Sequence, residues 1–382
     1  MSSEYAGFVH SKTVAVVVGS ILFTAGFLLR SALIPSTQPN TTTPSPRLTL
    51  LPQLSEDEVS RLPYPPDALP GGRDVDSPYG STRVYEFGPE DGRKVLLIHG
   101  ISTPCLALGG VAHALVEKGC RVMLFDLFGR GYSDSPYAIE HDSRLFITQI
   151  LIVLASSPLN WKPQFDVVGY SLGGGISAVF TSHFPYLCRT LVLVAPSGLI
   201  REKHISRTSR FLYGRNVLLE PILMRMVKRR LGKPLTKPTH ANETVGASGA
   251  AAAEVNIEGN QSVTLSKSHP HITIESAVHH QVEHHRGFVP AFMSSIRHGP
   301  VLNQHRHWRK IGIEMTARNE AVLIILGERD PVIACEEIQA DAHEVLEGHV
   351  KFVIMDAGHE APVTKGNEVA DHIWTFWQDA QT

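Results

Sequence analysis

Cysteine is scarce. The four present, Cys105, Cys120, Cys188 and Cys335, lie far apart with no C-x-x-C pair in a chain of 382 residues. That spacing suggests neither a zinc site nor a disulfide framework, although two of them could pair in an oxidising compartment. Excess charge is missing too. Lys and Arg total 35 against 37 Asp and Glu, a formal net charge of −2, so whole-chain electrostatics give no argument for nucleic acid. Among 20 histidines there is no H-E-x-x-H motif. The cluster His279, His280, His284 and His285 does put two rings on one helical face, but it reads better as solvated or cap-lining histidines. No metal and no cofactor is expected. What is left is globular composition, 43% hydrophobic and 19% charged, with length enough for a large buried core.

One long apolar run stands out. "TVAVVVGSILFTAGFLL" (Thr13–Leu29) carries no charge, and apolar character resumes after Arg30 as far as Ile34. Its length is at the low end of the roughly 17–25 residues that span a bilayer, and Arg30 can snorkel to lengthen the span. The rival is a cleaved signal peptide, whose apolar region runs about 7–15 residues. This run is longer and no A-x-A site follows, so it is read as an uncleaved single-pass anchor over 13–34, behind a tail of 1–12. Lys12 before it and Arg30 after it leave orientation open. Sequons at Asn40, Asn242 and Asn260 suit a lumenal body, although Ser/Thr-rich stretches produce such matches by chance. The expected location is a membrane, the endoplasmic reticulum or another endomembrane being compatible.

Residues 35–80 open with "PSTQPNTTTPSPRLTLLP", which reads as a tether unable to build a core. From about Arg83 short apolar runs recur: "RVYEF", "KVLLIHG", "RVMLFD", "FDVVGYS", "TLVLVAP", "AVLIILGE" and "VKFVIMD". Near-continuous runs of this kind mark strands buried on both faces. Helix-length segments separate many of them, at Leu106 to Glu117, Ile139 to Ala155, Leu172 to His183, Glu336 to Leu346 and Glu368 to Gln378. The expected fold class is therefore α/β, a mostly parallel doubly wound sheet. Its two parts are expected at 81–197 and 319–382. Between them, 198–318 reads as a helical cap inserted between sheet strands, with a mobile loop at about 236–270 where the chain turns Ala/Gly-rich. Within the cap, Leu218, Ile222, Leu223, Met226 and Val227 interleave with Arg225, Lys228, Arg229 and Arg230. Such a run is usually a solvated face, but beside an anchor it also suits a helix resting on a membrane.

Chemistry enters at Gly169-Tyr170-Ser171-Leu172-Gly173, a G-x-S-x-G between a strand-like run and a helix. Alone the pattern is weak and Ser171 could be an ordinary turn serine. A serine nucleophile needs a base, and the base an orienting acid. Asp330 in "LGERDPV" follows one strand run, and His359 in "DAGHEAP" follows the last. Asp330 could instead cap the next helix, and Asp356 is a rival acid. Asp126 reads as structural, bonding the Gly-rich turn after its strand. The backbone N–H of Ile101, after His99-Gly100, is placed to join that of Leu172 as an oxyanion hole.

With these motifs in hand, the sequence resembles the α/β-hydrolase superfamily. HGIS (99–102), DLFGRGYSDSP (126–136), GYSLGGG (169–175), GERDPV (327–332) and DAGHEAP (356–362) match in order and spacing from about residue 83 onward. Among members the chain looks most like capped carboxylesterases and monoacylglycerol-lipase-like or valacyclovir-hydrolase-like enzymes. The resemblance implies a triad of Ser171, Asp330 and His359 in the family's chain order. It also implies cleavage of a small-molecule carboxylic ester, lipophilic or monoacylglycerol-like, through an acyl-enzyme. Serine in place of aspartate at the nucleophile position argues against epoxide-hydrolase chemistry, and H-G-G-G is absent. The same triad could serve C–C or amide hydrolysis or acyl transfer in a biosynthetic pathway. A non-catalytic binding protein on this scaffold is the reading from another class. Chain length, leaving group and oligomeric state are not legible.

Overall fold

The apolar runs fold as one eight-stranded sheet. A computed structural model describes residues 20, 24, 41–201, 220–231, 253–254 and 264–379. The strands are β1 (Gly72–Val75), β2 (Thr82–Phe87), β3 (Arg93–Ile98), β4 (Cys120–Phe125), β5 (Phe165–Tyr170), β6 (Cys188–Val194), β7 (Val322–Gly327) and β8 (Val350–Met355). Their spatial order is β8-β7-β6-β5-β3-β4-β2-β1. From β8 through β4 every neighbouring pair is parallel. Only β2 runs against the others, pairing antiparallel with both β4 and β1. This is the mostly parallel doubly wound sheet expected. Val95 to Ile98, Val122 to Phe125 and Val322 to Leu326 are buried throughout, because helices cover both faces of a parallel sheet.

The covering helices are α1 (Gly109–Glu117), α2 (Ser143–Ala155) and α3 (Leu172–His183) in the first half, and α8 (Cys335–Val345) and α9 (Gly366–Asp379) in the second. Helix α2 starts at Ser143 rather than Ile139 because the Asp142 side chain accepts from Arg144 N and Leu145 N. Those bonds satisfy amides that a helix start leaves free. Between β6 and β7 lie α4 (Glu220–Leu231), α5 (Ile274–His284), α6 (Phe288–His298) and α7 (His305–Arg318). Helices α4, α5 and α6 pack on one another, whereas α7 lies against α3 and α8 with Trp308 fully buried. The expected cap ran to Arg318, but α7 belongs to the layer covering the sheet.

Three expectations need correction or fall elsewhere. The tether was expected to reach residue 80, yet the chain packs from Thr41 onward. Thr42 and Thr43 pair with Pro136 and Ser135, and Asp134 accepts from Ser45 N at 2.8 Å and Ser81 N at 2.9 Å. Tyr64 is buried, stacked on Tyr132 at 5.1 Å. The stretch escapes the strand and helix patterns because backbone amides and scattered buried side chains such as Tyr64, Ala68 and Leu69, not a periodic face, hold it. The mobile loop expected at about 236–270 is also shorter than that. Leu265 is buried and the Ser266 hydroxyl donates to Ala68 O at 2.5 Å. The anchor at 13–34, apart from Ser20 and Thr24, and all three sequons lie outside the described residues. Among the described residues no helix is long and apolar enough to cross a membrane.

Tyr64 reaches the motif it supports. Its hydroxyl donates to Asp126 Oδ2 at 3.1 Å, and Cys105 N and Tyr132 N donate to the same carboxylate at 2.9 Å. Asp126 is thus the structural aspartate expected, its pKa raised by burial despite those donors. Tyr64→Phe should leave that buried carboxylate one donor short and cost about 1–3 kcal/mol. A lower urea midpoint at unchanged slope would show it. An unchanged midpoint would mean that this hydroxyl adds nothing to the folded body.

Candidate active site

Ser171 stands where β5 ends and α3 begins. Its backbone adopts φ 53°, ψ −118°, a conformation that costs about 1–3 kcal/mol for a residue with a Cβ. The surroundings enforce it. Ser171 N donates to Val194 O on β6, and Ser171 O accepts from Ser197 N, both at 3.0 Å. A Cβ on Gly169 would collide with Gly173 O, and one on Gly173 would collide with Ile98 O. Only glycine at both positions lets α3 start directly beneath the serine. The hydroxyl therefore projects at the end of the sheet, beside the positive end of a helix dipole.

The loops after β7 and β8 bring the other two predicted side chains to it. His359 Nε2 lies 3.0 Å from Ser171 Oγ, and His359 Nδ1 lies 2.7 Å from Asp330 Oδ2. Asp330 Oδ1 accepts from Val332 N at 2.7 Å and Ile333 N at 2.9 Å, which fixes the carboxylate plane. The acid thus also caps its loop. The imidazole must carry its proton on Nδ1, facing the carboxylate, so Nε2 is free to accept from the serine hydroxyl. Burial alone would lower the His359 pKa, but the charge and hydrogen bond of Asp330 outweigh it and the net direction is up. The rival Asp356 is mostly exposed and pairs with Arg329 at 2.9 Å. It lies outside the contact.

Of the two oxyanion candidates, Leu172 directly follows Ser171. Leu172 is the first residue of α3, so its N–H has no partner within the helix. The Ile101 amide lies in the loop after β3, and that loop is braced from three sides. Leu127 N donates to His99 Nε2 at 2.8 Å, leaving Nδ1–H to donate to Gly100 O at 2.8 Å. His99 is neutral as well as buried, its pKa lowered to about 3 by desolvation and by Arg130. Arg130 Nε donates to Ile101 O at 3.1 Å, and its other nitrogens donate to Phe128 O and Ser295 Oγ. From α5, Gln281 donates to Ser102 O and accepts from Gly131 N.

Sequence reasoning did not find Arg130, Gln281 or Glu254. Arg130 sits inside the DLFGRGYSDSP motif, in which the sequence marks Asp126 alone. Gln281 lies within the His-rich helix. Glu254 follows a run of alanines that reads as loop, yet its carboxylate is buried and accepts from Ile101 N at 3.1 Å and Ser102 N at 2.8 Å. Of the His-rich cluster, His285 is engaged by Ser133 O and Gly287 N, both within 3.1 Å. Its pKa is lowered to about 4, chiefly by burial. All four cysteines are free thiols.

A buried hydroxyl, imidazole and carboxylate in series can carry out nucleophilic acyl transfer. A family model described as alpha/beta hydrolase fold matches residues 94–365. An uncharacterized protein of Mycobacterium tuberculosis is 31% identical over 127 residues, which cover 33% of this chain and 36% of that protein. A serine hydrolase-like protein of Dictyostelium discoideum is 29% identical over 119 residues, 31% of this chain and 32% of that one. Both matches thus span about a third of the relative's length. The crystal structure of a membrane phospholipase A, described as a bacterial virulence factor, is similar in fold. It has a TM-score of 0.56 and 18% identity, covering 100% of both chains.

Proposed function

Because the chain belongs to the α/β-hydrolase family, we propose that it is a serine hydrolase of carboxylic esters, working through an acyl-enzyme on Ser171. The observation that carries this reading is the unbroken hydrogen-bonded series from Ser171 Oγ through His359 to Asp330. Ser171 Oγ attacks the ester carbonyl carbon as its proton passes to His359 Nε2. The carbonyl oxygen becomes an oxyanion held by the amides of Ile101 and Leu172. Asp330 stabilises the imidazolium. Collapse breaks the C–O bond, and the departing alkoxide takes the proton from His359. Water then attacks the acyl carbon, gives its proton to His359, and the second collapse returns that proton to Ser171 and releases the acid.

The substrate in this proposal is lipophilic, and the setting is a membrane reached through the single-pass anchor at 13–34. Helices α4–α6 act as the cap over the site. Two features support it: the charge-free run Thr13–Leu29, and the surface of α4. There Leu223, Val227 and Leu231 face inward, while Ile222 and Met226 are about half exposed beside Arg225 and Lys228. Apolar and cationic side chains sharing one outer face suit an anionic bilayer.

The test is a panel of p-nitrophenyl esters from acetate to palmitate. kcat/KM is expected to rise roughly tenfold or more with chain length, each buried methylene contributing up to about 0.8 kcal/mol. A flat series would remove the lipophilic assignment, and no turnover of any ester would remove the esterase. The pH profile follows from His359, which must be neutral to accept a proton. Its folded pKa is raised, so kcat/KM should climb with pH through a midpoint above the ordinary imidazole value of 6.5. The stability gained from the protonated imidazole runs the opposite way. It is present below that ordinary value and is lost as pH rises through the folded one.

A further inference from the structure

Glu254 stands where the reacting oxygen needs its stabilising donors. The side chain is fully buried. Oε1 accepts from Ile101 N at 3.1 Å, and Oε2 accepts from Ser102 N at 2.8 Å and from the Ser102 hydroxyl. A Cβ at position 100 would collide with both carboxylate oxygens, so the bare backbone of Gly100 makes the room. Arg130 holds the peptide that carries the Ser102 N–H through its carbonyl, Ile101 O, and Gln281 holds Ser102 O. Ser102 is thus braced on both sides, His99 holds Gly100 O behind the Ile101 N–H, and all three donors meet one carboxylate. Its charge also falls on His359 and on Arg130.

The Ile101 amide is the donor assigned above to the oxyanion. Oxyanion donors act at about 2.7–3.1 Å from the oxygen they stabilise, and Glu254 Oε1 already lies in that range. An anionic oxygen forming on the substrate would meet a second anion on the same N–H. Repulsion between them, at short range in a dry site, excludes joint occupancy.

We propose that Ile101 N–H, Ser102 N–H and the Ser102 hydroxyl form a carboxylate-binding site, filled from within the chain by Glu254, and that ester turnover requires Glu254 to leave it. This rests on the reading of Ser171 as nucleophile. The emptied site takes small free carboxylates, the chemical class of the acyl product. The filled form is a closed enzyme, and its apparent reactivity is scaled by the fraction that is open.

Two variants test it, Glu254→Ala and the nearly isosteric Glu254→Gln. Each is compared with wild type for p-nitrophenyl acetate turnover, inhibition by sodium acetate and hexanoate, and fluorophosphonate labelling, with circular dichroism as the folding check. Glu254→Ala should raise kcat/KM and labelling rate about tenfold or more, as expected if about nine molecules in ten are closed. It should also be inhibited competitively by acetate or hexanoate at concentrations at least about tenfold below those needed for wild type. Glu254→Gln, which accepts hydrogen bonds without the charge, should fall between, and it carries the test if the alanine variant fails to fold. Unchanged or lower kcat/KM with unchanged carboxylate inhibition in a folded variant overturns the proposal. If labelling at Ser171 persists in that case, the nucleophile assignment stands without the plug. If neither wild type nor variant labels at Ser171, the nucleophile assignment falls and takes the plug with it.

Discussion

Ser171→Ala is expected to lower kcat on any ester the protein turns over by about 10⁶-fold, while KM and thermal unfolding stay nearly unchanged. The substitution removes the attacking oxygen and little else. The hydroxyl's partner is His359 Nε2, and an alanine methyl group fits where a serine hydroxymethyl did. The elbow's φ of 53° is held by backbone bonds to Val194 and Ser197, not by the hydroxyl. A residual rate from the two amides alone is expected, because oxyanion donors still orient and polarise a bound ester. Purified variant and wild type assayed at saturating ester would check it. A loss of only a few-fold would place the nucleophile elsewhere.

Asp330→Asn should cost about 10⁴-fold in kcat for a different reason. Asp330 Oδ1 accepts two backbone amides, so an asparagine would keep its carbonyl oxygen there and turn its NH₂ toward His359. A donor facing Nδ1 forces the ring proton onto Nε2, where it meets the serine hydroxyl and leaves no base. The pH profile separates this from general damage. Asp330 is what raises the His359 pKa against burial, so in Asp330→Asn the residual kcat/KM should show a midpoint below that of wild type. An unmoved midpoint would mean that the carboxylate does not act through the imidazole.

The sheet was legible because a strand buried on both faces has little choice but β-branched and leucine residues, as in "KVLLIH" and "AVLIILG". The site was legible for a related reason. Chemistry restricts residue type, and the ends of parallel strands are where the fold gathers side chains from remote positions. So Ser171, Asp330 and His359 could be named from motifs, and the structure brings the three together. What escaped has no local signal. The packing of Tyr64 against Asp126 and Tyr132 depends on tertiary hydrogen bonds, and a Pro/Thr/Ser-rich lead-in concealed it. Glu254 is a buried acid 152 residues from the amide it occupies, set after alanines that satisfy no periodic pattern. Helix α7 shows the same limit: its apolar stripe fits a cap or a sheet-covering layer equally well, and only the contact with α3 decides.

The claim beneath all of this is that Ser171 Oγ is the atom that attacks. Labelling the wild-type protein with a fluorophosphonate and mapping the adduct by peptide mass spectrometry addresses it directly. The account predicts a single covalent adduct on Ser171, absent from Ser171→Ala. An adduct on another residue, or a folded, ester-hydrolysing protein that carries none on Ser171, would contradict it.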